Sequence, residues 1–184
     1  MNAERIMLIR HAEKPSLDGV VLGVDINGQQ STDELSVRGW QRAGALVRFF
    51  FPLDAASARK GIGVPQHLFA PMPTAHVRSV RALHTLTPLG EGLGIEVSTS
   101  FRKGDESGLA ASIVERSGVV LVAWEHHAII AIADALMGGR VATPQEWPDD
   151  RFDLVWVFDR SVDGWSFSRV PQLLLPGDSQ VIVA

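Results

Sequence analysis

The chain contains no cysteine. Disulfides, thiolate zinc sites and cysteine nucleophiles are therefore excluded, and the composition fits a reducing, cytoplasmic setting. A basic excess is also missing: 17 Lys and Arg stand against 21 Asp and Glu, for a net charge of -4. Nucleic acid is not expected as the main ligand, because such binders carry a basic excess or stripe. A local cationic pocket inside an acidic protein remains compatible with that balance. No apolar run approaches the roughly 18 residues of a membrane span. Glu4 and Arg5 interrupt the N-terminal apolar stretch, so no signal peptide is expected. No repeat, low-complexity segment or linker divides the 184 residues, a length that suits one soluble domain over 1–184.

Short apolar runs alternate with amphipathic stretches. Arg5 to Ile9 has the character of a buried strand, and it ends in the charged cluster Arg10-His11-Ala12-Glu13-Lys14-Pro15. Residues 16–34 are rich in Gly, Asp, Asn and Gln and predict a loop. Ser36 is placed to cap a helix over 37–51, with Trp40, Ala43, Leu46, Val47 and Phe50 on one face and Pro52 ending it. His67 to Ala70 suggests a second buried strand. A helix is expected over 77–89, carrying Arg78, Arg81 and His84, with Gly90, Gly92 and Gly94 as a weak stop. Ile95 to Ser98 alternates like a strand, and 108–116 has helical character. Val119 to Ala123 is the clearest buried strand and runs into Trp124-Glu125-His126-His127. An apolar helix over 128–137 should follow, ending at Gly138-Gly139. Two strands, 153–158 and 165–169, flank an Asp163-Gly164 turn as an antiparallel hairpin. The pattern predicts a layered α/β fold with a mostly parallel sheet.

Two strands thus end in histidine clusters, and ligand groups gather past the carboxyl ends of strands in such sheets. If the first and central strands are parallel neighbours, Arg10-His11 and Glu125-His126 leave the same edge, with Arg81 and Glu106 as further members. Guanidinium forks match phosphate oxygens, so two arginines would form an anion pocket. Neutral imidazole can form a covalent intermediate at phosphorus that water later cleaves. Arg10, Arg81 and protonated His126 would stabilise charge on the transferring group, and a carboxylic acid would protonate the leaving oxygen. No metal and no cofactor is required by this chemistry.

The same residues resemble a known family. Leu8-Ile9-Arg10-His11-Ala12-Glu13 is similar to the Arg-His-Gly-Glu signature of the histidine phosphatase superfamily, with its phosphoglycerate mutase-like fold. Leu35 to Ala43 looks like that family's first helix. Arg81-Ala82-Leu83-His84-Thr85 resembles its second arginine followed by a Thr four residues on, and Val120 to His126 resembles the strand delivering its second histidine. The matches occur in family order over residues 6–130. The resemblance implies a three-layer α/β/α sandwich in which His11 is phosphorylated and Arg10, Arg81 and His126 hold the phosphoryl group. It implies hydrolysis of phosphomonoesters, phosphohistidine or phosphoproteins, with mutase activity disfavoured by the short chain. Departures from the pattern are Ala12 for the usual Gly, Trp124-Glu125 for the usual small residue, and Ala70-Pro71-Met72-Pro73 where Ser-Ser often stands. Glu106 falls about where the mutase-like branch carries its acid, with Glu125 and Asp105 as rivals.

Other readings attach to the same residues. Arg78 is the alternative to Arg81, and Lys14, Glu13 and Glu125 flank the pocket, either touching substrate or pairing with one another. As strand neighbours His126 and His127 would face opposite ways and share an ion poorly, and the i, i+4 zinc spacing is absent. His127 is then expected to support the following helix. Trp40, Trp147, Trp156 and Trp165 are expected in packing, and His67, His76 and His84 have no assigned role. The glycines at 90, 92 and 94 lack the strand and spacing of a dinucleotide loop. Two alternatives to the phosphatase remain: a phosphate-binding module of the same fold without turnover, and a metal-dependent hydrolase.

Overall fold

The computed structural model describes residues 2–138 and 143–182. The end of the expected stop at Gly138-Gly139 and part of the 140–152 segment lie outside the described residues. Among these residues six strands form one sheet: β1 (Ala3–Arg10), β2 (His67–Phe69), β3 (Val97–Ser98), β4 (Gly118–Trp124), β5 (Leu154–Ser161) and β6 (Gly164–Pro171). Their order is β3-β2-β4-β1-β5-β6. The pairs β2–β3, β2–β4 and β1–β4 are parallel, and β1–β5 and β5–β6 are antiparallel. The helices are α1 (Val37–Phe50), α2 (Arg81–Leu93), α3 (Glu106–Val114) and α4 (His126–Met137).

Alternation along the central strands builds two cores. Ile6 and Leu8 of β1, Val120, Val122 and Trp124 of β4, and Trp156 and Phe158 of β5 face α3 and α4, meeting Leu109, Ile113, Ile129 and Ile132. The intervening residues Met7, Ile9, Leu121, Ala123, Val155 and Val157 face α1 and α2, meeting Leu46, Phe50, Leu86 and Leu89. The sheet is therefore covered on both faces, as parallel pairing demands, and the layers are α/β/α. No helix among the described residues is long and apolar enough to cross a membrane.

Several elements begin elsewhere than the sequence suggests. Helix α2 starts at Arg81 rather than 77, because Val77 N–H is taken by the Thr74 hydroxyl at 3.0 Å and Val80 N–H by the Asp33 carbonyl at 3.1 Å. It continues through Pro88 to Gly94, whose φ of 68° closes it. Helix α3 starts at Glu106, so that residue lies in a first helical turn and not in a loop. Helix α4 starts at His126, two residues early, because the Glu125 side chain caps it through His127 N–H at 3.3 Å. The hairpin loop is Val162-Asp163, one residue before the expected turn, with Ser161 paired to Gly164.

Helix α1 begins where expected, at the Ser36 cap, whose hydroxyl accepts from Gly39 N–H at 3.1 Å. Gly39 lies against the chain just past His11: a Cβ there would fall 2.3 Å from the Glu13 carbonyl oxygen. Gly44 on the same helix is exposed, and a Cβ there meets nothing within 4 Å. Gly39→Ala should therefore destabilise the fold by about 1–3 kcal/mol through overpacking, whereas Gly44→Ala should stabilise it by about 0.5–1 kcal/mol through helix propensity. Urea denaturation of the two variants checks this contrast.

Candidate active site

Strands β1 and β4 run parallel with Arg10 opposite Trp124, so their carboxyl ends finish level. The pairing extends one step further, with His11 N–H donating to the Trp124 carbonyl at 3.0 Å. Arg10-His11 and Glu125-His126 therefore emerge from one sheet edge. His11 is buried, and its Nδ1 lies 2.8 Å from the Ala12 carbonyl oxygen. A carbonyl can only accept, so Nδ1 carries the proton and Nε2 keeps the lone pair. Burial pushes the imidazole pKa down to about 3, and the charges of Arg81, Arg10 and His126 push the same way. Behind it, Ala12 N–H donates to Thr85 Oγ1 at 2.8 Å and the Thr85 hydroxyl donates to the Arg81 carbonyl at 2.7 Å. The first turn of α2 is thereby fastened to the histidine segment.

Arg10 is almost fully buried under the 148–152 segment. Its Nη1 donates to the carbonyls of Asp149 at 2.6 Å, Arg151 at 3.3 Å and Pro148 at 3.4 Å, and its Cζ lies 3.9 Å from the Phe152 ring centre. Burial lowers its pKa to about 10, opposed by Asp149, Glu125, Asp150 and Glu13, so it stays cationic at neutral pH. Arg81 donates through Nη1 to the Thr32 carbonyl at 2.9 Å. Burial lowers its pKa as well, against the pull of Asp33 and Glu34. His126 Nε2 donates to Asp149 Oδ1 at 2.6 Å. Its pKa is lowered by burial first and by Arg10, with Asp149 and Glu125 opposing.

Three buried side-chain polar atoms among the described residues lack a hydrogen-bond partner: Arg10 Nε, Arg81 Nε and His126 Nδ1. Glu125 Oε1 approaches His126 Nδ1 to 3.1 Å, but outside hydrogen-bonding directions. An unsatisfied buried polar group costs about 1–3 kcal/mol, so these atoms, two of them arginine N–H donors on residues whose charge acts on His11, mark a place suited to an anion.

A cavity of about 110 Å³ opens at this edge, lined by His11, Arg81, Lys103 and Glu125 among others, with Trp124 in its wall. A larger hollow of about 670 Å³ beside the Val162-Asp163 turn contains none of these histidines. Glu125 is half-buried and pairs with Lys103 Nζ at 3.1 Å. Burial alone would raise its pKa, but the hydrogen bonds from Lys103 and His127 N–H hold it below the usual carboxylate range.

Of the residues expected at the site, His11, Arg81 and Glu125 line the cavity, and Arg10 and His126 flank His11 closely enough to act on its charge. Glu106 does not line it: its Oε1 accepts from Trp124 Nε1 and Gly104 N–H, both at 3.0 Å, so it braces the tryptophan. Asp105 is exposed at the start of α3. Arg78 is exposed and faces Asp33 at 3.4 Å, and Lys14 is exposed; neither lines the cavity. Glu13 turns away and pairs with Arg42 at 2.8 Å and Arg38 at 3.1 Å rather than with Lys14. Thr85 stood in the Arg81–Thr85 pattern, whereas Lys103, Asp149 and Phe152 were not singled out by the sequence. For Lys103 the signal was its place beside Glu106, while Asp149 and Phe152 carry no local pattern.

The reason given by the sequence against metal binding does not hold. His126 and His127 open a helix instead of alternating on a strand, and their ring centres are 3.9 Å apart. With Glu125 they offer one ligand atom each, all within 4.8 Å, so this trio could hold a divalent cation.

The depressed pKa of His11 has a consequence for stability. Between pH 6.5 and about 3 the unfolded chain binds a proton at this residue that the native protein does not. Stability therefore rises with pH across that window and is lost as pH falls through it. The contribution is on the order of a few kcal/mol in all, at most about 1.4 kcal/mol per pH unit. His11→Gln should lack this component, and denaturant titrations of both proteins from pH 7 to pH 3 measure it.

No protein-family model matches the sequence, and no curated protein matches it. Solved structures do. A protein assigned as the phosphohistidine phosphatase SixA from Agrobacterium tumefaciens is 18% identical, over 91% of this chain and 97% of its own, with a TM-score of 0.53. A mycobacterial glucosyl-3-phosphoglycerate phosphatase in complex with VO3 is 14% identical over 90% of this chain and 97% of its own, with a TM-score of 0.51. The protein histidine phosphatase SixA complexed with tungstate gives 14% identity, 91% and 97% coverage, and a TM-score of 0.51. With α/β/α layers around a sheet that carries two histidines at one edge, the chain has the phosphoglycerate mutase-like fold of the histidine phosphatases.

Proposed function

We propose that this protein is a metal-independent phosphatase that acts on phosphomonoesters, or on phosphohistidine or phosphoprotein, through a phosphohistidine at His11. The observation that carries the reading is the set of unpartnered buried atoms on Arg10, Arg81 and His126, three residues whose charges act on an imidazole with a free Nε2. A phosphoryl group offers the two arginine Nε–H donors the acceptors they lack, and its negative charge favours a proton on His126 Nδ1, which then donates as well. Two of the similar structures hold the oxyanions VO3 and tungstate, and all three are named as phosphatases.

In the first step His11 Nε2 attacks phosphorus, an N–P bond forms and the P–O bond to the leaving group breaks. Arg10, Arg81 and protonated His126 face the oxygens that gain charge. The leaving oxygen takes its proton from the Glu125 carboxyl. In the free protein Glu125 is held ionised by Lys103, but a bound phosphate dianion brings a like charge that favours its protonated form. In the second step the Glu125 carboxylate takes a proton from water, whose oxygen attacks phosphorus. The N–P bond breaks, and phosphate and neutral His11 are released. Glu106 keeps the structural role of holding Trp124.

The Lys103 ion pair on Glu125 also favours a second reading, a phosphate-binding module of the same fold that does not turn over. Hydrolysis of 4-nitrophenyl phosphate in the presence of excess chelator separates the two. His11→Ala should fall to background, and Glu125→Gln should lose about 10²- to 10⁴-fold in kcat, with a far smaller loss for Glu106→Gln. Wild-type protein that binds vanadate but hydrolyses nothing would instead establish the binding module. Activity that vanishes with chelator would transfer the chemistry to a metal at Glu125, His126 and His127.

A further inference from the structure

Resting on the phosphatase reading above, we propose that the group carrying the phosphoryl is flat and apolar, an aromatic ring in place of a sugar or other polyol. The cavity next to His11 divides sharply in character. His11 and Arg81 supply the phosphoryl-binding groups, and Pro71, Met72, Val77, Ala82 and Trp124 form the apolar part of the wall. None of these five side chains has a hydrogen-bonding group to give a ligand, because the one candidate, Trp124 Nε1, is committed to Glu106.

The remaining polar groups are few. Lys103 and Glu125 are paired with each other at 3.1 Å, and among the described lining residues only the Ser79 hydroxyl adds a further polar side chain outside the phosphoryl-binding end. A polyol entering here would set its hydroxyls against proline, methionine and valine without partners, and each desolvated hydroxyl weakens binding. A ring would instead cover Met72 and Val77, which are each 41% exposed at the mouth. Methionine sulfur also contacts aromatic edges favourably. The volume agrees: about 110 Å³ is small beside the roughly 300–1,000 Å³ of typical small-molecule sites, so the cavity suits a phosphoryl group and one ring, with the remainder of the substrate outside.

The ring could belong to a free aryl or arylalkyl phosphate or to a phosphorylated aromatic side chain of a protein, and the chemistry is shared. Phosphonates test the wall independently of turnover. Benzylphosphonate should bind at least about tenfold more tightly than 2,3-dihydroxypropylphosphonate in calorimetry, since even one methylene in an apolar pocket is worth about tenfold or more. Met72→Asn with Val77→Asn should narrow that ratio to within about threefold while vanadate binding persists. Equal or tighter binding of the dihydroxypropyl compound, or a ratio unmoved in the double variant, would overturn the proposal. If the benzyl preference holds while benzyl phosphate is not hydrolysed, the phosphatase reading fails and the ligand class stands. A kcat/KM for a phosphotyrosine peptide well above that of free phosphotyrosine would assign the ring to a protein substrate, and the reverse order to a small molecule.

Discussion

The candidate site depends on the register of one strand pair. Because β1 lies parallel to β4 with Arg10 opposite Trp124, two histidines 115 positions apart leave the sheet side by side. A shift of one residue would turn every side chain of β1 to the other face. It would exchange the Ile6–Leu8 set, packed on α3 and α4, with the Met7–Ile9 set, packed on α1 and α2. The two cores therefore hold the register, and the register holds the chemistry.

Arg42, Arg10 and Arg81 are held cationic near that edge, in buried or half-buried surroundings, by different means. Arg42 is fully paired: its guanidinium makes two contacts each with Glu13 and Asp178 and one with Gln172. Burial works against its charge, but these carboxylates raise its pKa above the ordinary arginine value. The network ties the histidine segment, α1 and the 172–178 segment together, which gives a role to the otherwise featureless stretch after β6. Arg10 is satisfied on one side only, by backbone carbonyls of 148–151, and Arg81 by one carbonyl of the 16–34 loop. Each keeps an unpartnered Nε. The contrast separates an arginine used for structure from two held ready for an anion.

Asp149 joins both halves of this arrangement. Its carbonyl receives Arg10 and its carboxylate receives His126, each at 2.6 Å, so a single residue orients two of the groups proposed to hold phosphate. Fixing the His126 tautomer through Nε2 leaves Nδ1 directed elsewhere than Asp149, and that atom is one of the unpartnered three.

Apolar periodicity and caps were enough to read the layered architecture, the Ser36 start of α1, the strands before both histidines and the antiparallel hairpin, because these are local consequences of burial and backbone satisfaction. The pairing of Arg10-His11 with Glu125-His126 was legible only as a condition on strand adjacency. Starts of α2, α3 and α4 were missed; Thr74 and Asp33 set that of α2, and the Glu125 cap that of α4, through hydrogen bonds rather than hydrophobic period. The sequence by itself determined which residue types could do phosphoryl chemistry and that strands would deliver them. Tertiary structure alone decided which carboxylate shares the cavity, Glu125 and not Glu106, and which arginines keep an unpartnered Nε, because both depend on contacts between segments far apart in the chain.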